Sequence, residues 1–168
     1  AMKDLGAENE KIEEGNGAEE GNIFTLKYKY SEPLGLKYQS KEGTSETVFM
    51  GCYGIGVSRV MGVIVEKFAD EKGLVWPEEV APFKYHVVTM GEKGLAEALK
   101  VYEGHEEEML LDDRDARFGE KMKDSELMGM PYRVIISDRT LENGEVEITE
   151  RASGKTWRES IDKFTATL

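Results

Sequence analysis

The sequence predicts an α/β protein, and three observations carry that expectation. Short runs rich in β-branched and aromatic residues, such as Ile23-Phe24-Thr25-Leu26 and Tyr85-His86-Val87-Val88, recur between turn residues. Apolar residues at helical spacing stand between them, most clearly at Val57, Val60, Met61, Ile64, Val65 and Phe68. Strand and helix patterns then alternate through the second half, which implies helices layered on a sheet.

Residues 1–21 hold seven acids against Lys3 and Lys11, with Gly15-Asn16-Gly17 at their centre and only Leu5 and Ile12 as apolar anchors. Such a segment cannot bury enough apolar surface to order itself, so it reads as an acidic flexible tail or linker. From Asn22 the pattern changes. Strands are expected at Ile23–Leu26 and Leu36–Tyr38, around a turn carrying Pro33 and Gly35. A third, Thr47–Met50, leads into Gly51-Cys52-Tyr53-Gly54-Ile55-Gly56, and the helical stripe follows until Gly73. Trp76-Pro77 opens a connector over 76–81, ending at Pro82. Beyond it come a strand at Tyr85–Val88, a helix marked by Leu95, Ala98, Leu99 and Tyr102, and a strand at Met109–Leu111. A charged loop at 112–117 precedes a helix carrying Met122, Leu127 and Met128, which Gly129 and Pro131 close. Val134–Ile136 and Val146–Ile148 pattern as a hairpin around Asn143-Gly144, and Arg158–Phe164 as a last helix.

Composition removes several classes of function. The 168 residues suit one domain or two small ones. A single cysteine excludes a disulfide framework and a cysteine-based zinc site, and two histidines do not supply another metal site. No apolar run reaches the about 18 residues that a membrane span needs, and the opening residues lack the pattern of a secretory signal. The expected setting is the cytoplasm. The net charge of −12 opposes nucleic acid, yet Arg114, Arg117, Lys121 and Lys123 fall close together with only Asp115 and Glu120 among them.

Two stretches could carry chemistry. In the first, a strand meets a helix through Gly51, Gly54 and Gly56, and Arg59 lies in the first helical turn. Glycines let a ligand approach the backbone, and free N–H groups at a helix start favour an anion. Arg59 adds a planar fork of donors where a helix start ordinarily prefers acids. A tight turn that needs glycine only for packing explains the same residues. Cys52 lacks a neighbouring histidine and reads as a small apolar residue, and neither His86 nor His105 patterns as catalytic. The second stretch, Leu110 to Asp124, interleaves bases and acids on a loop entering a helix. Those side chains could read nucleobase edges, or they could be surface ion pairs worth little.

Together these residues resemble a known family. Met50 to Arg59 is similar to motif 3 of class II aminoacyl-tRNA synthetases, in the form found in prolyl-tRNA synthetases. Gly21–Leu26 and Lys29–Ser31 resemble the strand stretch that precedes it, and Val75–Phe83 resembles the entry into the anticodon-binding domain. Leu110–Lys123 and Leu127–Arg133 resemble two signature stretches of that domain, although Phe118 and Met122 replace the usual proline and phenylalanine.

The resemblance implies part of a class II synthetase antiparallel-sheet core at 22–75, followed by a mixed-sheet α/β anticodon-binding domain at 82–168. It implies a protein that activates proline with ATP and Mg2+ and passes the prolyl group to tRNA(Pro), working as a homodimer. Arg59 would act catalytically on ATP; Asn22, Cys52, Gly54, Gly56 and Ser58 would line the ATP and proline site. Arg117, Lys121, Lys123 and Asp124 would read the anticodon, with Lys121 on a phosphate. Motifs 1 and 2 are absent from these 168 residues, so this piece is expected to be inactive alone. A stand-alone RNA-binding accessory module is the second reading. A metabolic nucleotide-binding domain is the third, and it leaves 110–133 unexplained.

Overall fold

The computed structural model describes residues 15–168, so most of the acidic tail expected at 1–21 lies outside the described residues. The chain divides into two compact units, one ending at Met61 and one spanning Gly62–Leu168.

In the first unit, β1 (Gly21–Lys27) pairs antiparallel with β4 (Met50–Ile55), and β2 (Lys37–Gln39) with β3 (Ser45–Thr47). The strand expected at 47–50 is thus two elements. β3 stops at Thr47, and β4 runs through the glycines that spacing alone suggested were a turn. They can extend because β1 supplies a ladder for their backbone groups, the role that usually governs a glycine-poor strand. Both faces of the β1–β4 ribbon are open: Ile23 is 82% exposed on one and Phe24 49% on the other. Helix α1 (Val57–Phe68) follows Gly56, and none of its residues is buried among the described residues. The apolar stripe therefore makes a helix, as expected, without contributing to a core.

The second unit is built on a five-stranded sheet. β5 (Tyr85–Met90), β6 (Met109–Asp112), β7 (Tyr132–Ser137), β8 (Glu145–Glu150) and β9 (Thr156–Ser160) stand in the order β6-β5-β7-β8-β9. β5 runs parallel to β6 and β7, while β7–β8 and β8–β9 are antiparallel. This is the mixed sheet expected of the second domain. The crossover through α2 (Glu92–Tyr102) steps to β6, and that through α3 (Phe118–Met128) steps back past β5 to β7. Right-handed crossovers in opposite directions put the two helices on opposite faces. One face packs Val87, Val134, Ile136, Val146 and Ile148 against Ala98 and Val101 of α2 and against Phe164. Strand alternation puts His86, Leu110, Asp112, Arg133 and Ile135 on the other face.

Two C-terminal elements differ from the sequence reading. The hairpin around Asn143-Gly144 contains a short helix, α4 (Asp138–Leu141), held by reciprocal bonds between Ser137 and Thr140. Arg158–Phe164 is not one helix. β9 continues to Ser160, whose hydroxyl caps a five-residue helix, α5 (Ile161–Thr165). Alternation of half-buried Trp157 and Glu159 with exposed Arg158 and Ser160 is the strand signal that helical spacing obscured.

The segment before the sheet is stitched to it. Leu74 and Trp76 donate backbone N–H groups to the carbonyls of Leu127 and Gly129, at 3.0 and 3.1 Å. Gly129 ends α3 in the left-handed region with φ 65°, and a Cβ there would sit 1.8 Å from the Leu74 carbonyl oxygen. Only glycine tolerates both conditions. Asp70 takes two hydrogen bonds from the Arg151 guanidinium, at 2.7 and 2.6 Å, and these hold its carboxyl far below the usual range.

His86 is buried with Nδ1 unpartnered. Burial pushes its imidazole below the ordinary value; Arg114 and Arg133 act in the same direction, and Asp112 opposes them. The folded state then binds protons less readily than the unfolded chain, so stability is lost as pH falls below roughly 6.5. The urea midpoint of the chain is expected to drop between about pH 7 and about pH 5, and His86→Leu to flatten that slope. An unchanged slope in the variant would remove His86 from this role. No helix among the described residues is long and apolar enough to cross a membrane.

Candidate functional site

The first candidate site grows from the register of the β1–β4 ribbon. Asn22 stands opposite Gly54 and Phe24 opposite Cys52, and directly opposed residues share a face. Asn22, Phe24, Cys52 and Gly54 thus line one side, while Ile23, Tyr53 and Ile55 take the other. With Gly56 and Arg59 they border a cleft of about 340 Å3. Five residues singled out from the sequence, Asn22, Cys52, Gly54, Gly56 and Arg59, are therefore brought together; Ser58 is exposed and outside the lining.

Gly54 decides between packing and ligand approach. A Cβ placed there would meet nothing within 4 Å, and its φ is not positive. The fold of this chain gives no reason for glycine at that position, whereas keeping the floor of the cleft flat does. Arg59 leaves the first turn of α1, which carries no acid, and donates to the Glu19 carbonyl. Asn22 Nδ2 donates to Glu19 Oε1 at 2.9 Å. An exposed guanidinium, a side-chain amide and a strand that offers Cys52 and Gly54 on this face can together hold a flat, anionic ligand. The described residues contain no cluster of three metal-ligating side chains.

The charges of 112–124 have a different arrangement from the one expected. Lys121 is 3% exposed, and its Nζ donates to Thr89 O at 3.1 Å, Thr89 Oγ1 at 3.2 Å and Asp112 O at 3.1 Å. A phosphate cannot reach that amine, so the role expected for Lys121 is corrected to a structural one. Its cause is local: where the β5–β6 pairing ends at Val88 and Asp112, the Thr89 and Asp112 carbonyls both accept from the ammonium. Arg114 bridges Asp112 at 2.7 Å and Asp124 at 2.7 Å. Those bonds hold the Asp112 carboxyl below its ordinary range and the guanidinium above its own. Asp124 is thereby engaged within the chain, while Arg117, the N-cap of α3, and Lys123 are exposed.

A further cleft in this unit is lined by none of Arg117, Lys121, Lys123 and Asp124. It measures about 510 Å3 and lies beside the start of α3 over Ile135, with Phe118, Asp138, Arg139, Glu147 and Arg158 around it. Arg158 Nε and Nη2 donate to Glu147 Oε2 at 3.1 and 2.9 Å across the β8–β9 ladder. Phe118 is 37% exposed. An aromatic face with carboxylates and guanidinium groups around it matches the surface and edges of a nucleobase. Sequence reading missed these residues, because Glu147 and Arg158 meet only once the register of β8 and β9 is known.

The sequence profile of the anticodon binding domain matches residues 84–168, half of the chain. The chain belongs to the anticodon binding domain family. It is also similar to proline–tRNA ligases. That of Persephonella marina is 44% identical over 90% of this chain and 27% of its own length, and that of Magnetococcus marinus 40% over 94% and 28%. The chain thus spans about a quarter of the length of the curated relatives it matches. The fold is that of solved prolyl-tRNA synthetases. The Giardia lamblia protein, in complex with prolyl-adenylate, is 23% identical with a TM-score of 0.71 over 87% of this chain and 32% of its own. The Cryptosporidium parvum protein, with halofuginone and AMPPNP, is 21% identical with a TM-score of 0.72 over 88% and 32%. The cleft around Phe118 lies within the matched anticodon binding domain.

Proposed function

We propose that this chain is the motif 3 and anticodon-reading part of a proline–tRNA ligase, which activates proline with ATP and transfers it to tRNA(Pro). The observation that carries the reading is the ribbon register, because it assembles Asn22, Cys52, Gly54, Gly56 and Arg59 around one cleft. A pure RNA-binding accessory module needs no such cleft. On this reading Arg59 stabilises charge on the ATP phosphates or stacks on adenine, and Asn22 and Cys52 stand on the proline side. Ser58 supports the turn beside them. Mg2+ arrives with the ATP phosphates, for the described residues offer it no ligand cluster. The protein works in the cytoplasm, as a homodimer whose contacts lie outside this chain. Residues 22–75 belong to the catalytic core and 82–168 to the anticodon domain, with 76–81 joining them.

Anticodon reading falls, in this proposal, to the cleft beside α3. Phe118 stacks on a base. Guanine offers two adjacent N–H donors to a carboxylate and an acceptor edge to a guanidinium, which Glu147 and Arg139 or Arg158 supply. Arg117 and Lys123, both exposed, serve the phosphates at the rim, and Asp124 holds Arg114. The test is a titration of the chain with a proline-anticodon stem-loop and with loops whose guanines are replaced. Glu147→Gln is expected to cost about tenfold on the guanine loop alone, and Lys123→Gln to weaken all loops alike and lower the salt slope. Equal binding of all loops by the unaltered chain would end the anticodon assignment of this cleft.

A further inference from the structure

A third cleft lies on the opposite face of the five-stranded sheet, at the other end of its parallel strands. α5 has only five residues and buries its own Phe164 against this face. What remains is an open cleft of about 330 Å3 whose floor is aromatic. Phe164 meets Tyr85 edge-on at 5.3 Å, Tyr85 lies 5.6 Å from Tyr132, and Tyr132 meets Trp157 edge-on at 6.4 Å. Lys84 and Lys155 place their ammonium groups 5.5 and 6.0 Å from the Tyr85 and Trp157 ring centres.

Charge pairing around the rim narrows the ligand. Lys84 is matched by Glu78 at 3.0 Å and Glu159 by Lys163 at 2.8 Å. Among the described residues, Lys155 and Glu150 are in no ion pair; Glu150 accepts only from the Ser153 hydroxyl. The β8–β9 turn sets the two side by side, as the backbone N–H of Glu150 donates to the Lys155 carbonyl at 2.9 Å. Of the two ammonium groups against the rings only that of Lys155 is left without a carboxylate partner among the described residues, so an anionic group is drawn to that end of the cleft. The half-buried Trp157 ring, at 80° to that of Tyr132, takes a planar ring on its face. A free carboxylate accepts from paired N–H groups on that ring, and a free ammonium takes a phosphate.

We propose that this cleft binds a guanine-bearing nucleotide, with its base on the face of Trp157 and against Tyr132, its N–H edge on Glu150 and its phosphate on Lys155. The site is separate from the anticodon cleft and does not depend on the function proposed above. Either a free mononucleotide or a guanosine within single-stranded RNA has this chemistry.

The test is to titrate the whole 15N-labelled chain with GMP, UMP, and a short single-stranded RNA carrying one guanosine between uridines, following backbone amides. GMP is expected to move the amides of Tyr132, Glu150, Lys155 and Trp157. Tighter binding of the RNA than of GMP assigns the site to RNA, and the reverse to a free mononucleotide. Lys155→Gln is expected to weaken GMP by about tenfold or more and reduce its salt dependence, the scale of one lost hydrogen bond to a charged group. Glu150→Gln is expected to remove the preference for GMP over UMP while leaving UMP binding unchanged. Both side chains lie at the rim, so neither change threatens the core. The proposal is overturned if GMP and the RNA move only amides around Phe118 and Glu147, or move none. It is equally overturned if tetramethylammonium moves the four amides and GMP does not, which would make the cleft a cation cage.

Discussion

Lys121→Met is expected to destabilise the chain by about 3 kcal/mol, the scale of removing one member of a buried charged hydrogen-bond cluster. The ammonium has three oxygen partners at 3.1–3.2 Å, and Asp112 Oδ1 lies 3.9 Å away. Methionine keeps much of the stem volume, so the loss isolates the polar contribution from a cavity. Removing the amine takes the ammonium from the Thr89 carbonyl in a region closed to water. Thr89 Oγ1 retains its 2.8 Å bond to the Asp112 carbonyl, and Arg114 still holds the Asp112 carboxylate, which keeps the cost below that of a fully orphaned ion. Urea unfolding gives the measure. A companion titration with the anticodon loop, under conditions where the variant stays folded, is expected to change affinity by less than about twofold. Near-normal stability with a lower salt slope for RNA would restore Lys121 to the phosphate and contradict its burial.

That residue also marks where sequence reading reached its limit. Elements announced by their own periodicity were legible: α1 from its six-residue stripe, α2 from Leu95, Ala98, Leu99 and Tyr102, and β5 and β7 from continuous apolar runs that suit strands covered on both faces. Elements whose form depends on a partner were not. β4 extends through three glycine-flanked positions because β1 lies beside it, and β9 is a strand because β8 offers a ladder to Trp157–Ser160. Charges divided in the same way. Arg59 and Asn22 could be assigned to one site because motif resemblance carries spatial information that spacing lacks. Lys121 looked like any basic residue in a charged loop, since nothing local reveals that two strand ends converge on its amine. Glu147 and Arg158 were invisible for the converse reason. They are ordinary surface charges until the β8–β9 register sets them face to face beside Phe118. The resemblance pointed to the domain; the sheet supplied the side chains on which the proposed anticodon reading rests.

Arg59→Ala, made in a proline–tRNA ligase carrying this sequence, is expected to lower proline-dependent ATP–pyrophosphate exchange by about a hundred- to a thousandfold, as loss of one preorganised charge-stabilising donor does elsewhere. The side chain is exposed and among the described residues bonds only to the Glu19 carbonyl, an acceptor that water can replace. Thermal stability is therefore expected to stay nearly unchanged, which separates a chemical role from a structural one. Arg59→Lys is expected to recover little of the rate. A point charge cannot reproduce both the planar fork that grips two phosphate oxygens and the flat face that stacks on a base. Gly54→Ala provides a second reading of the same cleft. No atom of this chain lies within 4 Å of the added methyl group, so the fold should accept it. A flat ligand lying against β4 should not, and the Michaelis constant for ATP or proline is expected to rise. The 168 residues alone are expected to give no exchange, because the positioning of both substrates relies on parts of the ligase outside them. Exchange by the isolated chain would overturn the division of labour proposed here. A loss of under about tenfold in Arg59→Ala would leave that residue holding Glu19 and nothing more.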